Sequence, residues 1–346
     1  MIRNLMLRRI INDVQVRELK RMLNDAQNIV ITCHVSPDGD AVGSSLCLLH
    51  LLHRMGKEAH VVTPDMIPSS LTFLPGLKDV VVFTRQELMA KHFMENADLI
   101  VCLDFNALYR VDRLSTLLKE AKAKKVLIDH HLDPEDFADL TISYPKMSST
   151  CELLFRLIYA TGLMKFMSKW SATCLYTGMM TDTGNFTYNS NDPDLYLMIA
   201  ELLRFGIDKD NIYNMAMNTF SVDRLRLMGY ALSEKMELFP EVGGALIELT
   251  HEELVKFHYQ RGDTESLVNR PLAIPGIYWS IFLRDDVEYI KVSARSTGDF
   301  AVNGYCEQYF SGGGHKNAAG GEFRGSMEDA RSLVYDIVAN LKENKK

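Results

Sequence analysis

The chain has 346 residues, 47% of them hydrophobic, which is enough for two domains that each bury a core. Its formal net charge of −7 excludes a protein that coats long nucleic acid, because such binding rests on Lys and Arg displacing counterions. A short or small phosphate substrate stays compatible with that charge, and the six cysteines, which form no C-x-x-C pair, read as reduced core residues of a cytoplasmic protein.

Residues 1–23 carry apolar positions at helical spacing, interrupted by Arg, Asn and Asp, so an amphipathic helix is expected there rather than a signal peptide. Between residue 28 and about 182, the β-like runs NIVITC, EAHVVTP, ADLIVCLDF and KKVLIDHH alternate with helical periods, the pattern of a parallel sheet with covering helices. Helices are expected at about 41–55, ending at Gly56, and at about 150–160, where Ser149 and Glu152 have the spacing of a capping box. Another helix leads into TGMMTDTGNF. The most apolar stretch, 46–52, is broken by His50 and is too short to span a bilayer, so no membrane attachment is expected. Residues 191–237 read as a helical connector. From 238 the chain turns strand-rich (GGALIELT, IYWSIFLRDD, VEYIKVSARS), then passes a helical interval and a glycine cluster to a helix at about 327–340. The expected fold class is α/β: a parallel-sheet domain with flanking helices (1–190), the connector (191–237), and a smaller α/β domain with a mixed sheet (238–346).

Three strands deliver metal-capable side chains to one edge of the first sheet. NIVITC runs into a loop holding His34, Asp38 and Asp40, turned by Pro37 and Gly39. For that segment alone, a solvated loop with Asp40 capping the next helix is an equal alternative. ADLIVCLDF carries Asp104 at its end, and KKVLIDHH ends on Asp129, His130 and His131. Carboxyl ends of strands are where open α/β sheets place ligands, and convergence of so many imidazoles and carboxylates favours cations over chance. Asp182 lies between Gly178 and Gly184, where backbone can approach a ligand closely. Near the C-terminus, Arg295 ends a strand and suits bidentate phosphate binding, while Gly312, Gly313 and Gly314 before His315 leave backbone N–H groups to face an anion. Phe186 and Tyr188 read as core packing ahead of base stacking.

In this order the motifs resemble the DHH phosphoesterase superfamily, whose triplet stands here as Asp129-His130-His131. The stretch SARSTGDFAVNGYCEQYFSGGGHKNAAGG resembles its DHH-associated C-terminal domain, in the nano-RNase and phosphoadenosine phosphatase branch. The resemblance implies a DHH domain at 1–190 and a substrate-binding domain at 238–346. It implies one cation on His34, Asp38 and Asp104 and a second on Asp40, Asp104, His130 and Asp182, with Asp104 bridging. Four carboxylates would neutralise two divalent ions, and mixed imidazole and carboxylate ligands suit Mn²⁺ better than Mg²⁺. His131 is then expected to donate a hydrogen bond or proton during in-line attack of an activated water on phosphorus, with Asp129 orienting an imidazole. Arg295, Gly313, Gly314 and His315, with Asn303 added, are expected to bind substrate. The implied activity is manganese-dependent hydrolysis of short oligoribonucleotides and of adenosine 3′,5′-bisphosphate (pAp). The alternative is a cyclic di-AMP or pApA phosphodiesterase; exopolyphosphatase and non-catalytic nucleotide binding rank lower. Expected partners are short RNA or a small nucleotide, not long duplex DNA or membrane, with a homodimer left open.

Overall fold

The structure is a computed structural model that describes residues 7–343, and it divides into two compact units, 1–219 and 220–346. The first unit is built on a six-stranded sheet. Its elements in chain order are α1 (Asp13–Asp25), β1 (Asn28–Thr32), α2 (Gly39–Arg54), β2 (Glu58–Thr63), β3 (Val81–Val82), α3 (Glu87–Asn96), β4 (Leu99–Leu103), α4 (Leu114–Glu120), β5 (Lys124–Asp129) and β6 (Leu140–Ser143), followed by α5 (Thr150–Thr161), α6 (Lys169–Asp182), α7 (Pro193–Arg204) and α8 (Lys209–Met217). All strands are parallel, in the order β3-β2-β1-β4-β5-β6. The order reverses between β1 and β4, which makes the space beyond their carboxyl ends the topological switch point of the sheet. Alternation along β1 sends Ile29 and Ile31 into the core beneath α2 and α5, and Val30 into the core beneath α3 and α4.

Helix α2 is buried along nearly its whole length, from Gly39 to Leu52. Glycine makes its contact with α6 possible: a Cβ on Gly43 would stand 2.5 Å from the Cys174 carbonyl oxygen. The second unit holds α9 (Val222–Glu234), β7 (Met236–Phe239), β8 (Gly244–Leu249), α10 (His251–Lys256), β9 (Trp279–Asp285), β10 (Ile290–Ser296), α11 (Asn303–Tyr309), β11 (Gly313–His315), β12 (Ala318–Phe323) and α12 (Met327–Glu343). Its sheet runs β11-β12-β10-β9-β8-β7, antiparallel except for the β8–β9 pair, and α11 and α12 cover one face through Cys306, Val334 and Ile337.

Several boundaries differ from expectation. The N-terminal helix begins at Asp13, because the Asn12 side chain caps it by accepting from the Val14 N–H, and Arg8 pairs instead with Asp192 and Asp194; residues 1–6 lie outside the described ones. Only half of the capping box at α5 forms: Ser149 accepts from the Glu152 N–H, but the Glu152 carboxylate goes to Ser148 and Arg156. The glycine cluster is an edge strand, β11, paired with β12, so part of its backbone is spent on the ladder. All six cysteines are free and buried.

Candidate metal centre

Each strand at the switch point ends by turning a polar side chain over the sheet edge. After β1, His34 and Asp38 follow, and Asp38 rather than Asp40 caps α2, accepting from the N–H groups of Asp40 and Ala41 at 3.0 and 3.1 Å. Asp40 therefore sits inside the first turn, 1% exposed. After β4, Asp104 adopts φ 64°, a left-handed conformation that Asp tolerates better than most residues but that still stores strain. Its N–H donates to Ile128 O at 3.1 Å, so the distortion is held by the neighbouring strand.

These side chains converge. His34 Nε2 lies 3.5 Å from Asp104 Oδ2 and 3.9 Å from Asp38 Oδ1. His130 Nε2 lies 3.6 Å from Asp104 Oδ1 and 3.4 Å from Asp182 Oδ2. The two oxygens of Asp104 thus face different imidazoles. Ligand-capable atoms gather in three overlapping groups, His34 with Asp38 and Asp104, Asp40 with His130 and Asp182, and Asp104 with His130 and His131. The far nitrogens are anchored: His34 Nδ1 is 2.7 Å from Val35 O, and His130 Nδ1 is 3.2 Å from Met147 O. A carbonyl can only accept, so both Nδ1 atoms carry a proton, which leaves Nε2 as the nitrogen that faces the carboxylates and that a cation would take in place of a proton. His131 Nδ1 is anchored too, but by a carboxylate, lying 2.7 Å from Asp129 Oδ1, while its backbone N–H donates to Asp129 Oδ2 at 3.0 Å.

Electrostatics show how crowded the negative charge in this cluster is. Burial and the charges of Asp104 and Asp182 push the Asp40 carboxyl well above the usual carboxylate range, and burial with the charges of Asp104 and Asp38 does the same to Asp182. Burial opposes ionisation of Asp104 too, yet the hydrogen bond and charge of His34, with His130 and His131, hold it below that range. Burial would depress His34, but its bond to Asp104 and the nearby charges of Asp38 and Asp104 raise it to about 9. Protons are thus retained where negative charge is crowded, and a divalent cation would replace them. The donor set of carboxylates and imidazole lone pairs fits such ions.

Sequence reasoning missed the donors behind the site. The N–H groups of Thr150 and Cys151, in the first turn of α5, donate to the two oxygens of Asp40 at 2.6 and 2.8 Å. The Thr150 hydroxyl donates to Asp104 Oδ1 at 2.9 Å. Only the Ser149 cap at the start of α5 hinted at an exposed set of N–H groups. Phe186 packs beside Tyr176 and Tyr196, and Tyr188 is exposed.

In the second unit, half-buried Arg295 on β10 and exposed His315 on β11 both pair with Ala318 of β12, one from each side. Paired residues share a face, so the two side chains stand in one row about 10 Å apart with only a methyl group between them. Arg295 Nη1 also donates to Ala294 O at 2.9 Å. Gly313 and Gly314 belong to the same edge strand, and Asn303 begins α11.

Residues 28–179 match the DHH family, N-terminal domain, and residues 248–340 match the DHHA1 domain. The chain belongs to the DHH family. It is 31% identical to the bifunctional oligoribonuclease and PAP phosphatase NrnA of Thermus thermophilus, over 90% of this chain and 89% of that one. The protein of the same name from Bacillus subtilis is 27% identical over 94% of this chain and 99% of its own. Among solved structures, an exopolyphosphatase-related protein from Bacteroides fragilis superposes with a TM-score of 0.95 at 48% identity, covering 97% of this chain and 99% of that one.

Proposed function

We propose that this chain is a two-metal phosphoesterase that hydrolyses very short oligoribonucleotides and removes phosphate from pAp. The observation that carries this reading is the convergence of His34, Asp38, Asp40, Asp104, His130 and Asp182 at the switch point of the parallel sheet. One cation is assigned to His34, Asp38 and Asp104, and the second to Asp40, Asp104, His130 and Asp182. The bridging role of Asp104 is supported by its two oxygens, which face the His34 and His130 Nε2 atoms separately. Manganese is favoured by the mixed ligands. When bound, the two ions supply positive charge to the phosphoryl oxygens and lower the pKa of a water. The chain's own residues do the rest. His131, held at Nδ1 by Asp129, would act in its doubly protonated form, presenting the second N–H as a hydrogen-bond or proton donor to the phosphoryl or leaving oxygen. Arg295 and His315, flanking Ala318, are assigned to the substrate phosphate and nucleotide, with Gly313 and Gly314 allowing close approach and Asn303, at the start of α11, as a further candidate.

Among the described residues no helix is long and apolar enough to cross a membrane, and the free thiols support a reducing cytoplasm. The name of the Bacteroides relative raises polyphosphate as a second substrate. A net charge of −7 argues against a groove for a long polyanion. The test is a Mn²⁺-dependent panel of pAp, pApA, RNA of two to five residues, cyclic di-AMP and polyphosphate. Release of mononucleotide from short RNA and of phosphate from pAp is expected. Turnover confined to polyphosphate or to cyclic di-AMP would overturn the proposal.

A further inference from the structure

We infer that Thr150 is a positioning residue of the metal centre, its hydroxyl setting the plane of the Asp104 carboxylate so that one oxygen faces each group of ligands. The inference rests on the two-metal reading above. The torsion that turns an Asp carboxylate is broad and roughly two-fold, so nothing intrinsic to Asp104 decides where its oxygens point. Its strained backbone fixes where the side chain leaves the chain but not how the carboxylate is rotated. The Thr150 hydroxyl, 2.9 Å from Oδ1, supplies that missing constraint. Oδ1 is then the oxygen 3.6 Å from His130 Nε2, and Oδ2 the one 3.5 Å from His34 Nε2.

Thr150 is itself fixed. Its side chain is fully buried, and its N–H is committed to Asp40 Oδ2 at 2.6 Å, so one residue ties together two buried carboxylates assigned as metal ligands, Asp40 and Asp104. The start of α5 is clamped from behind. Ser148 N–H and Oγ both donate to Glu152 Oε2 at 2.8 Å, Arg156 Nε donates to Glu152 Oε1 at 2.9 Å, and Arg156 Nη1 reaches Asp194 Oδ2 at 3.2 Å. A hydroxyl on such a base is a fixed donor that costs no reorganisation when ions arrive. Its side-chain bond spans 46 residues to Asp104, and as the first residue of α5 it has no preceding helical turn whose carbonyls could compete for the hydroxyl.

The test compares Thr150→Val, which keeps the shape and the N–H but removes the donor, with Thr150→Ser, which restores it. Mn²⁺ is titrated into the metal-stripped full chain by calorimetry, and the melting temperature is measured without metal. Thr150→Val is expected to weaken at least one Mn²⁺ site by roughly 10- to 100-fold, and Thr150→Ser to return within about threefold of wild type. Wild-type Mn²⁺ affinity in Thr150→Val would overturn the inference, whatever happens to the melting temperature. So would a Thr150→Ser variant as weak as Thr150→Val, since the lost element would then be the methyl group. If Thr150→Val does not fold, Thr150→Ala takes its place in the same comparison with Thr150→Ser, and equal affinities again overturn it. A wild-type chain that binds no Mn²⁺ would be a different failure, of the metal reading itself, and would remove the inference with it.

Discussion

Replacing Gly178 by Ala should damage the centre far more than it damages the fold. A Cβ at Gly178 would stand 2.2 Å from Cys151 Sγ, 2.8 Å from Asp40 Oδ1 and 3.0 Å from Asp40 Cα. Carbon contacts are comfortable at about 3.5–4.0 Å, so α6 and the start of α2 must separate by roughly 1 Å. Overpacking of this kind costs about 1–3 kcal/mol. Ala returns about 1 kcal/mol of helix propensity relative to Gly inside α6, which leaves a net loss of only about 0–2 kcal/mol. The catalytic consequence is larger, because misplacing a group by about 1 Å can cost on the order of 100-fold in rate. Asp40 is the atom set that moves. Gly178→Ala should therefore remain folded, with weakened Mn²⁺ binding and a kcat about two orders of magnitude lower. Gly229→Ala is the control, since a Cβ there meets nothing within 4 Å. Thermal melting, metal titration and kcat on pAp are measured together. A Gly178→Ala enzyme with wild-type kcat would refute the argument that α6 packs against Asp40 without slack.

Asp104→Ala should abolish turnover on every substrate, and retention of more than about a tenth of kcat, a loss under ~1.4 kcal/mol, would contradict the bridging assignment. His130→Ala should lower bound metal by elemental analysis, whereas His131→Ala should keep its metal and lose kcat; equal metal loss in both would refute the division of roles. Buried Arg156 neutralises Glu152 and Asp194, so Arg156→Ala should cost about 3–5 kcal/mol in chemical denaturation. Arg8 and Arg156 hold the Asp194 carboxyl below the usual range against the cost of its burial. With the folded value below the unfolded one, this pair's stabilisation is complete above about pH 4 and is lost as pH falls through the folded value. The melting temperatures of wild type and Asp194→Asn should accordingly converge on acidification, and a gap independent of pH would contradict the linkage.

The α/β architecture was legible because buried parallel strands are written as continuous apolar runs, and β1, β4 and β5 are each built on such a run, while in β2 only His60 interrupts Ala59, Val61 and Val62. The two outermost strands were not. β3 has only two residues, and β6 reads LTIS with one buried position, so neither carries a period that can be recognised. The connector was legible as helical, but its breaks fall where Asp208 and Ser221 cap α8 and α9. The glycine cluster was legible as a place of close backbone approach but not as a strand: Gly313 and Gly314 pair with the small residues of β12 at the sheet edge, and a Cβ at Gly312 would collide with the Gly320 carbonyl oxygen at 2.0 Å.

The residues that gather at the sheet edge could be found because strand direction alone carries them there: a parallel strand delivers whatever follows its last apolar residue to the same side. That logic reaches His34, Asp104 and His130, and it stops at Thr150 and Gly178, which sit at the start and in the middle of helices. Their contacts join positions far apart in the chain, 110 residues between Thr150 and Asp40. No local pattern encodes such a contact. Gly178 illustrates the limit well, since the sequence indicated room for close backbone approach there but not that Asp40 and Cys151 are among what it approaches. The buried half of the centre, Asp40 and Asp104, is therefore held by helix packing and hydrogen bonds that only the tertiary structure reveals. Asp38, with its side chain 57% exposed, instead fixes its position by capping its own helix. The proposed ligands differ in how they are held, and the ones most dependent on distant packing are the ones where a substitution outside the motifs should do the most harm.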